Sequence, residues 1–152
     1  MPEKLAKSRR RPPFFCPVPL RRRKDGWTIE RQCAFLACLY LTGSVSAAAK
    51  AAGMSRMSAY RLRRRRDAAS FARAWDAVLT PPGEGRIESE VDWRKVTSEE
   101  LFRRIDVGLV APLIHRGEVR GIRRKADDSA LLRLLKRLDT TNARPSEEEP
   151  GA

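Results

Sequence analysis

Apolar residues recur at 29, 33, 35, 36, 39 and 40, a broad face at helical spacing. They predict a first helix that opens at Thr28, carries Glu30 in its first turn and stops at Thr42-Gly43. A short alanine-rich helix follows, capped by Ser44 or Ser46 and ending at Gly53. Ser55 caps a third, which runs through Ala59 and Leu62 into Arg63–Arg66. Asp67 is the expected cap of a fourth, with Phe71, Ala72, Trp75, Val78 and Leu79 on one face and Pro81 ending it. Further on, Thr97 and Glu100 form a capping-box pattern ahead of Leu101, Phe102 and Ile105, and Gly108 breaks that helix. Leu109–His115 and Glu118–Arg124 flank Arg116-Gly117 and predict a β-hairpin. Asp127 or Asp128 caps a last helix with an apolar stripe of Leu131, Leu132, Leu134, Leu135 and Leu138, where Lys136 and Arg137 suit the C-terminal dipole.

The expected fold is mainly α. A four-helix domain at 25–79 is followed by a linker at 80–93, rich in proline and glycine, and by a helix–β-hairpin–helix unit at 94–139. The arm at 1–24 holds nine basic residues, one acid and five prolines, and is expected to be disordered; so is the acidic tail at 140–152. Trp27 and Trp75 are expected in the helical core.

Charge narrows the partners. With 32 Lys plus Arg against 19 Asp plus Glu, the net charge is +13, and such an excess favours a polyanion. The longest strictly apolar run, Ala34–Leu41, is eight residues, against ~20 for a spanning helix. The basic stretch before Phe14 and Phe15 lacks the apolar region and cleavage site of an export signal, so a cytoplasmic protein is expected. Of the three cysteines, Cys33 and Cys38, five apart in an apolar stretch, read as buried thiols in a reducing cytosol. With His115 the three cysteines are too scattered for a metal site, and no phosphate-binding or dinucleotide loop is present. No cofactor and no enzymatic activity are expected.

The most specific stretch is SVSAAAKAAGMSRMSAYRLRRRR, residues 44–66. Its spacing is that of a helix-turn-helix. Ala48, Ala49 and Ala52 allow two helices to approach closely, Gly53 accepts a left-handed turn, and Met54 fills the gap between the helices. Ala59 and Leu62 return to the core. The remaining face, Ser55, Arg56, Met57, Ser58, Tyr60, Arg61 and Arg64, is left to enter a groove. Arg56 is the best candidate for base reading; Arg63, Arg65 and Arg66 are expected phosphate clamps, with Lys50 on the backbone. In the arm, Arg9, Arg10, Arg11, Arg21, Arg22, Arg23 and Lys24 are expected to lie along phosphates or enter a minor groove.

Residues 25–79 resemble the homeodomain-like helix-turn-helix proteins of bacteria and their prophages, a group that includes phage terminase small subunits. The likeness is carried by Gly26-Trp27-Thr28, the Ala-Ala-Gly-Met-Ser turn at 51–55, Ser58-Ala59-Tyr60 and Phe71–Trp75. Residues 109–138 are similar to the glycine-turn hairpin and acid-capped leucine helix found downstream in such proteins. The resemblance implies duplex DNA recognition by residues 56–66. For the terminase branch it also implies a homo-oligomeric ring and a terminase large subunit as partner. The chain departs from that branch at 80–93, where a linker stands in place of a long central helix. A dimeric transcriptional regulator of the same fold is the alternative, followed by an RNA-binding or polyanion-binding adaptor.

Overall fold

A computed structural model describes residues 11–20, 26–80 and 93–143. They form six α-helices and one two-stranded antiparallel sheet, in two compact units. Of the described residues, 11–20, 26–80 and the hairpin Leu109–Lys125 belong to the first unit, and 93–108 and 126–143 to the second. The hairpin therefore groups with the N-terminal helices, which corrects the expected helix–hairpin–helix unit at 94–139.

In the first unit, α1 (Ile29–Thr42) is capped by Thr28, whose side chain accepts from the Arg31 amide, and ends at Gly43 in the left-handed conformation. Ser44, not Ser46, caps α2 (Val45–Ala51), and Ser55 caps α3 (Arg56–Arg63). A 3-10 turn at Arg66–Ala68 leads into α4 (Ala69–Leu79). Asp67 does not cap α4; its carboxylate takes two hydrogen bonds from Arg65, each 2.9 Å. The core is aromatic: Phe35 lies against Trp27, Phe71 and Trp75, and both tryptophans are buried.

The N-terminal segment corrects a second expectation. Residues 11–20 are not a solvated arm: Phe15, Cys16, Pro17 and Val18 are buried. Phe15 pairs with Val110, in the first strand of the hairpin, through two backbone hydrogen bonds and sets its ring edge-on to Phe71. The Cys16 amide donates to Ser70 Oγ. Val18 is held at both its amide and its carbonyl by the side chain of Gln32, which is itself fully buried and also donates to the Trp27 carbonyl. Proline-rich composition over the whole arm hides the reason. Pro17 and Pro19 carry no amide to satisfy, and the amides of Phe15, Cys16 and Val18 are all bonded, so this short stretch is buried with no orphaned donor at 15, 16 or 18.

β1 (Leu109–His115) and β2 (Glu118–Lys125) pair in register Leu109↔Lys125 to Leu113↔Gly121, then shift so that Arg120 is an extra residue. Val110, Ile114 and Ile122 pack into the core of the first unit, while β2 is otherwise exposed. The turn is Arg116-Gly117, with positive φ at both residues (49° and 77°), the arrangement whose twist suits a two-residue hairpin loop. Arginine in the left-handed region costs about 1–2 kcal/mol relative to glycine.

The second unit contains α5 (Ser98–Val107) and α6 (Asp128–Ala143), preceded by a 3-10 turn at Trp93–Lys95. Its core is Val96, Leu101, Ala130 and Leu134, flanked by Trp93 and Ile105. Thr97 caps α5 through the Glu100 amide, but the Glu100 carboxylate turns to Arg104 rather than back to the cap. Of the two expected caps of α6, Asp127 is the one used, accepting from the Ala130 amide. Lys136 and Arg137 are not at a helix end: α6 continues to Ala143, which also shortens the expected disordered tail. Arg137 instead donates to the carbonyls of Trp93 (2.8 Å) and Val96 (2.6 Å). Of the leucine stripe, Leu134 is buried, whereas Leu131, Leu132, Leu135 and Leu138 are exposed, as is Phe102 on α5.

Candidate nucleic-acid interface

The turn between α2 and α3 is built by hydrogen bonding. The Gly53 amide donates to the Lys50 carbonyl and the Met54 amide to the Ala49 carbonyl, the paired bonds that end a helix with a left-handed residue. Gly53 has φ 72°, and a Cβ there would meet nothing within 4 Å, so the glycine is required by backbone conformation and not by crowding. Met54 is half-buried against the core and accepts at sulfur from Arg31. Ala48, Ala49 and Ala52 are buried on the α2 side, Ala59 and Leu62 on the α3 side.

The start of α3 is fixed from below. Ser58 Oγ accepts from the Trp27 indole at 2.8 Å, and the Ser58 amide donates to Ser55 Oγ. Ser58 is thus tied into the fold, with its O–H as its remaining donor. Tyr60 is half-buried against Trp75 (centroids 5.4 Å apart), and Arg56 lies over the Tyr60 ring at 5.8 Å. Arg63 covers Trp75 at 4.7 Å and pairs with Asp76 at 3.0 Å. Arg56 and Arg63 of α3 thus each lie over an aromatic ring, Tyr60 and Trp75, and those two rings meet at a tilt of 44° between α3 and α4.

The predicted contact residues divide accordingly. Lys50, Ser55, Arg56, Met57, Arg61, Arg64 and Arg66 are exposed, Met57 at 63%. Lys50, Arg56, Arg61, Arg64 and Arg66 make no ion pair among the described residues. Arg63 and Arg65, expected as phosphate clamps, are already engaged by Asp76 and Asp67, and the Asp67 hydrogen bond raises the Arg65 pKa further. Both acids are visible in the sequence, but only the fold brings Asp76 to Arg63. Of the arm residues, Arg11 is exposed; Arg9, Arg10, Arg21, Arg22, Arg23 and Lys24 lie outside the described residues. The chain on either side of 21–25 is anchored at α3: Trp27 at Ser58, and the Pro19 carbonyl at Arg65, 3.5 Å away.

Cations outside the predicted set lie on the hairpin. Arg116, Arg120, Arg123, Arg124 and Lys125 are all exposed, with Glu118 the one acid of the two strands and their turn. Nothing in the alternating pattern of β2 distinguished these side chains from an ordinary solvated strand face. Among the described residues no group of three His, Cys, Asp or Glu is placed to hold a metal, and no helix is long and apolar enough to cross a membrane. Burial pushes the Cys33 thiol up to about 12, with Arg124 opposing the shift and Glu30 adding to it. No protein-family model matches the chain, and no curated protein or solved structure matches it.

Proposed function

We propose that this chain binds duplex DNA, with α2 and α3 acting as a helix-turn-helix and α3 as the recognition helix. One observation carries the reading: Lys50 on α2, Arg56 and Arg61 on α3, Arg64 at its C-cap and Arg66 in the following 3-10 turn lie exposed with no ion-pair partner among the described residues, while the opposite faces of both helices are sealed in the core. A row of guanidinium groups with no internal acid partner is stabilised by a polyanion. Arg56, steadied on Tyr60 near the start of α3, is the base-reading candidate, because bidentate pairing with guanine needs a guanidinium held in a plane. Arg61, Arg64 and Arg66 take phosphates.

The resemblance to terminase small subunits supports a cytoplasmic, oligomeric packaging protein that hands DNA to a large-subunit motor. The exposed leucines of α6 support self-association and serve a dimeric regulator equally well. Subunit count by native mass spectrometry separates the two: a closed ring favours the first, a dimer the second.

Fluorescence anisotropy of a labelled duplex across a salt series tests DNA binding. The affinity is expected to fall steeply with salt, each phosphate contact contributing a slope of about 0.9 in log–log units. Arg56→Ala is expected to relax sequence preference by ~1–3 kcal/mol. Absence of duplex binding at low salt defeats the reading, and equal affinity for single-stranded RNA replaces it with the adaptor.

A further inference from the structure

We propose that the β1–β2 hairpin is a second DNA-contacting element, a cationic ribbon that grips the phosphate backbone beside the site engaged by α3. The inference rests on the reading of α3 as a recognition helix and concerns the same partner.

Charge comes first. Arg116, Arg120, Arg123, Arg124 and Lys125 face one acid, Glu118, and among the described residues only Arg120 is paired with it, at 3.0 Å. Charged side chains on a strand edge are a common guard against aggregation, and that alone accounts for a basic β2. It does not account for the tip. Arg116 has φ 49°, a conformation in which asparagine or glycine is unstrained, yet the position holds a long cation at the outermost point of the ribbon. Strain retained at an exposed turn points to a use for the side chain.

The base of the ribbon is ordered as well. Arg123 and Lys125 project to the same face of β2 and both lie over the ring of Phe14, at 5.0 and 4.6 Å. Phe14 therefore holds two like charges side by side, an arrangement that an anion between or above them relieves. Arg124, between them in sequence, falls on the opposite face of β2 by strand alternation, and its charge opposes the rise of the Cys33 pKa.

The reach fits one duplex. β1 is hydrogen-bonded to Phe15, and the Pro19 carbonyl stands beside Arg65 at the end of α3. Four residue steps span at most about 14 Å, so the base of the hairpin lies within roughly 25 Å of the end of α3 even with the flanking contacts added. That is shorter than one turn of B-DNA, about 34 Å. Hairpin and helix belong to the same compact unit, so their phosphate contacts are spaced by the fold and not by a linker.

The test uses the full chain carrying Arg116→Gly, Arg123→Gln and Lys125→Gln together, titrated against a labelled 20-base-pair duplex from about 50 to 300 mM salt. The expected result is a salt slope lower by about 2–3 and an affinity lower by about 10- to 100-fold near 100 mM salt. An Arg61→Ala, Arg64→Ala variant is measured in parallel. If that variant is impaired while the hairpin variant matches the parent in slope and affinity, the hairpin proposal is overturned and the α3 reading stands. If the parent does not bind duplex at all, both fall. Amide shifts of residues 115–125 in the unmutated protein, followed by NMR as duplex is added, guard against a misfolded variant: unperturbed amides overturn the proposal. Vesicles of anionic lipid form the last arm. Loss of vesicle binding with duplex binding intact assigns the ribbon to a lipid surface and overturns it too.

Discussion

Gln32 shows how far a single polar side chain can determine the path of the chain. It is fully buried, and it uses its carbonyl oxygen and its amide to bond Val18 as a neighbouring strand would. Gln32→Ala strands the Val18 amide and carbonyl away from water, at about 1–3 kcal/mol for each unsatisfied group. A loss of roughly 3 kcal/mol in urea unfolding is expected, and Gln32→Glu, which cannot donate when ionised, is expected to be no better. Cys33, the next residue along α1, offers a pH test. Its thiol holds its proton to about 12 in the folded chain against 9.0 for an ordinary thiol. The unfolded state therefore ionises first, and stability is lost as pH rises above about 9, at up to ~1.4 kcal/mol per pH unit until the folded pKa is passed. The difference between parent and Cys33→Ala, followed by denaturant titration from pH 7 to 11, isolates that loss. A constant difference across the range removes the role given to burial.

At the level of elements, the helices were legible because capping chemistry and apolar spacing agree at each start: Thr28, Ser44, Ser55 and Thr97 all accept from the expected first-turn amide. The hairpin was legible from Arg116-Gly117 and the two segments that flank it, Leu109–His115 and Glu118–Arg124. Asp67 misled because a residue that caps well also pairs well, and Arg65 two positions earlier took it. The candidate interface was half legible. Exposure of Arg61 and Arg64 follows from helical phase, but the capture of Arg63 by Asp76 depends on how α3 packs against α4. The turns carry the sharpest expectation at this scale. Gly53→Ala puts a Cβ into a left-handed position with open space around it, so the cost is conformational only, about 1 kcal/mol. Arg116→Gly relieves the same strain and is expected to stabilise by a similar amount, partly offset by the greater freedom of glycine when unfolded. Thermal melts of the two variants should shift in opposite directions; a parallel shift contradicts the turn geometry.

For the molecule as a whole, the discontinuity of the two units was hidden, because averaging composition over residues 1–24 and 94–139 erased what each piece touches. The apolar island at Phe14–Leu20 is built into the first unit, and the hairpin leaves its flanking helices to join it. The second unit is left with few buried residues, a poor basis for independent stability in so short a stretch. Its exposed side chains indicate where further burial is available. Leu131, Leu135 and Leu138 follow one another at helical spacing along α6, with Leu132 beside them, and each gains ~1.5–3 kcal/mol if an apolar surface covers it. A second copy of the chain supplies such a surface, since identical leucine rows complement each other about a two-fold axis. Leu132→Glu with Leu135→Glu puts two charges into the middle of that apolar surface without touching Leu134 or the caps at Thr97 and Asp127. Sedimentation equilibrium is expected to show the parent self-associating and the double variant shifted to monomer, with the helix content of the first unit unchanged. Because the proposed DNA contacts all belong to the first unit, the variant is expected still to bind duplex, but with the lower apparent affinity of a single contact set in place of several linked ones. A parent that is monomeric at high concentration leaves these leucines without the partner assigned to them and removes both the ring and the dimer.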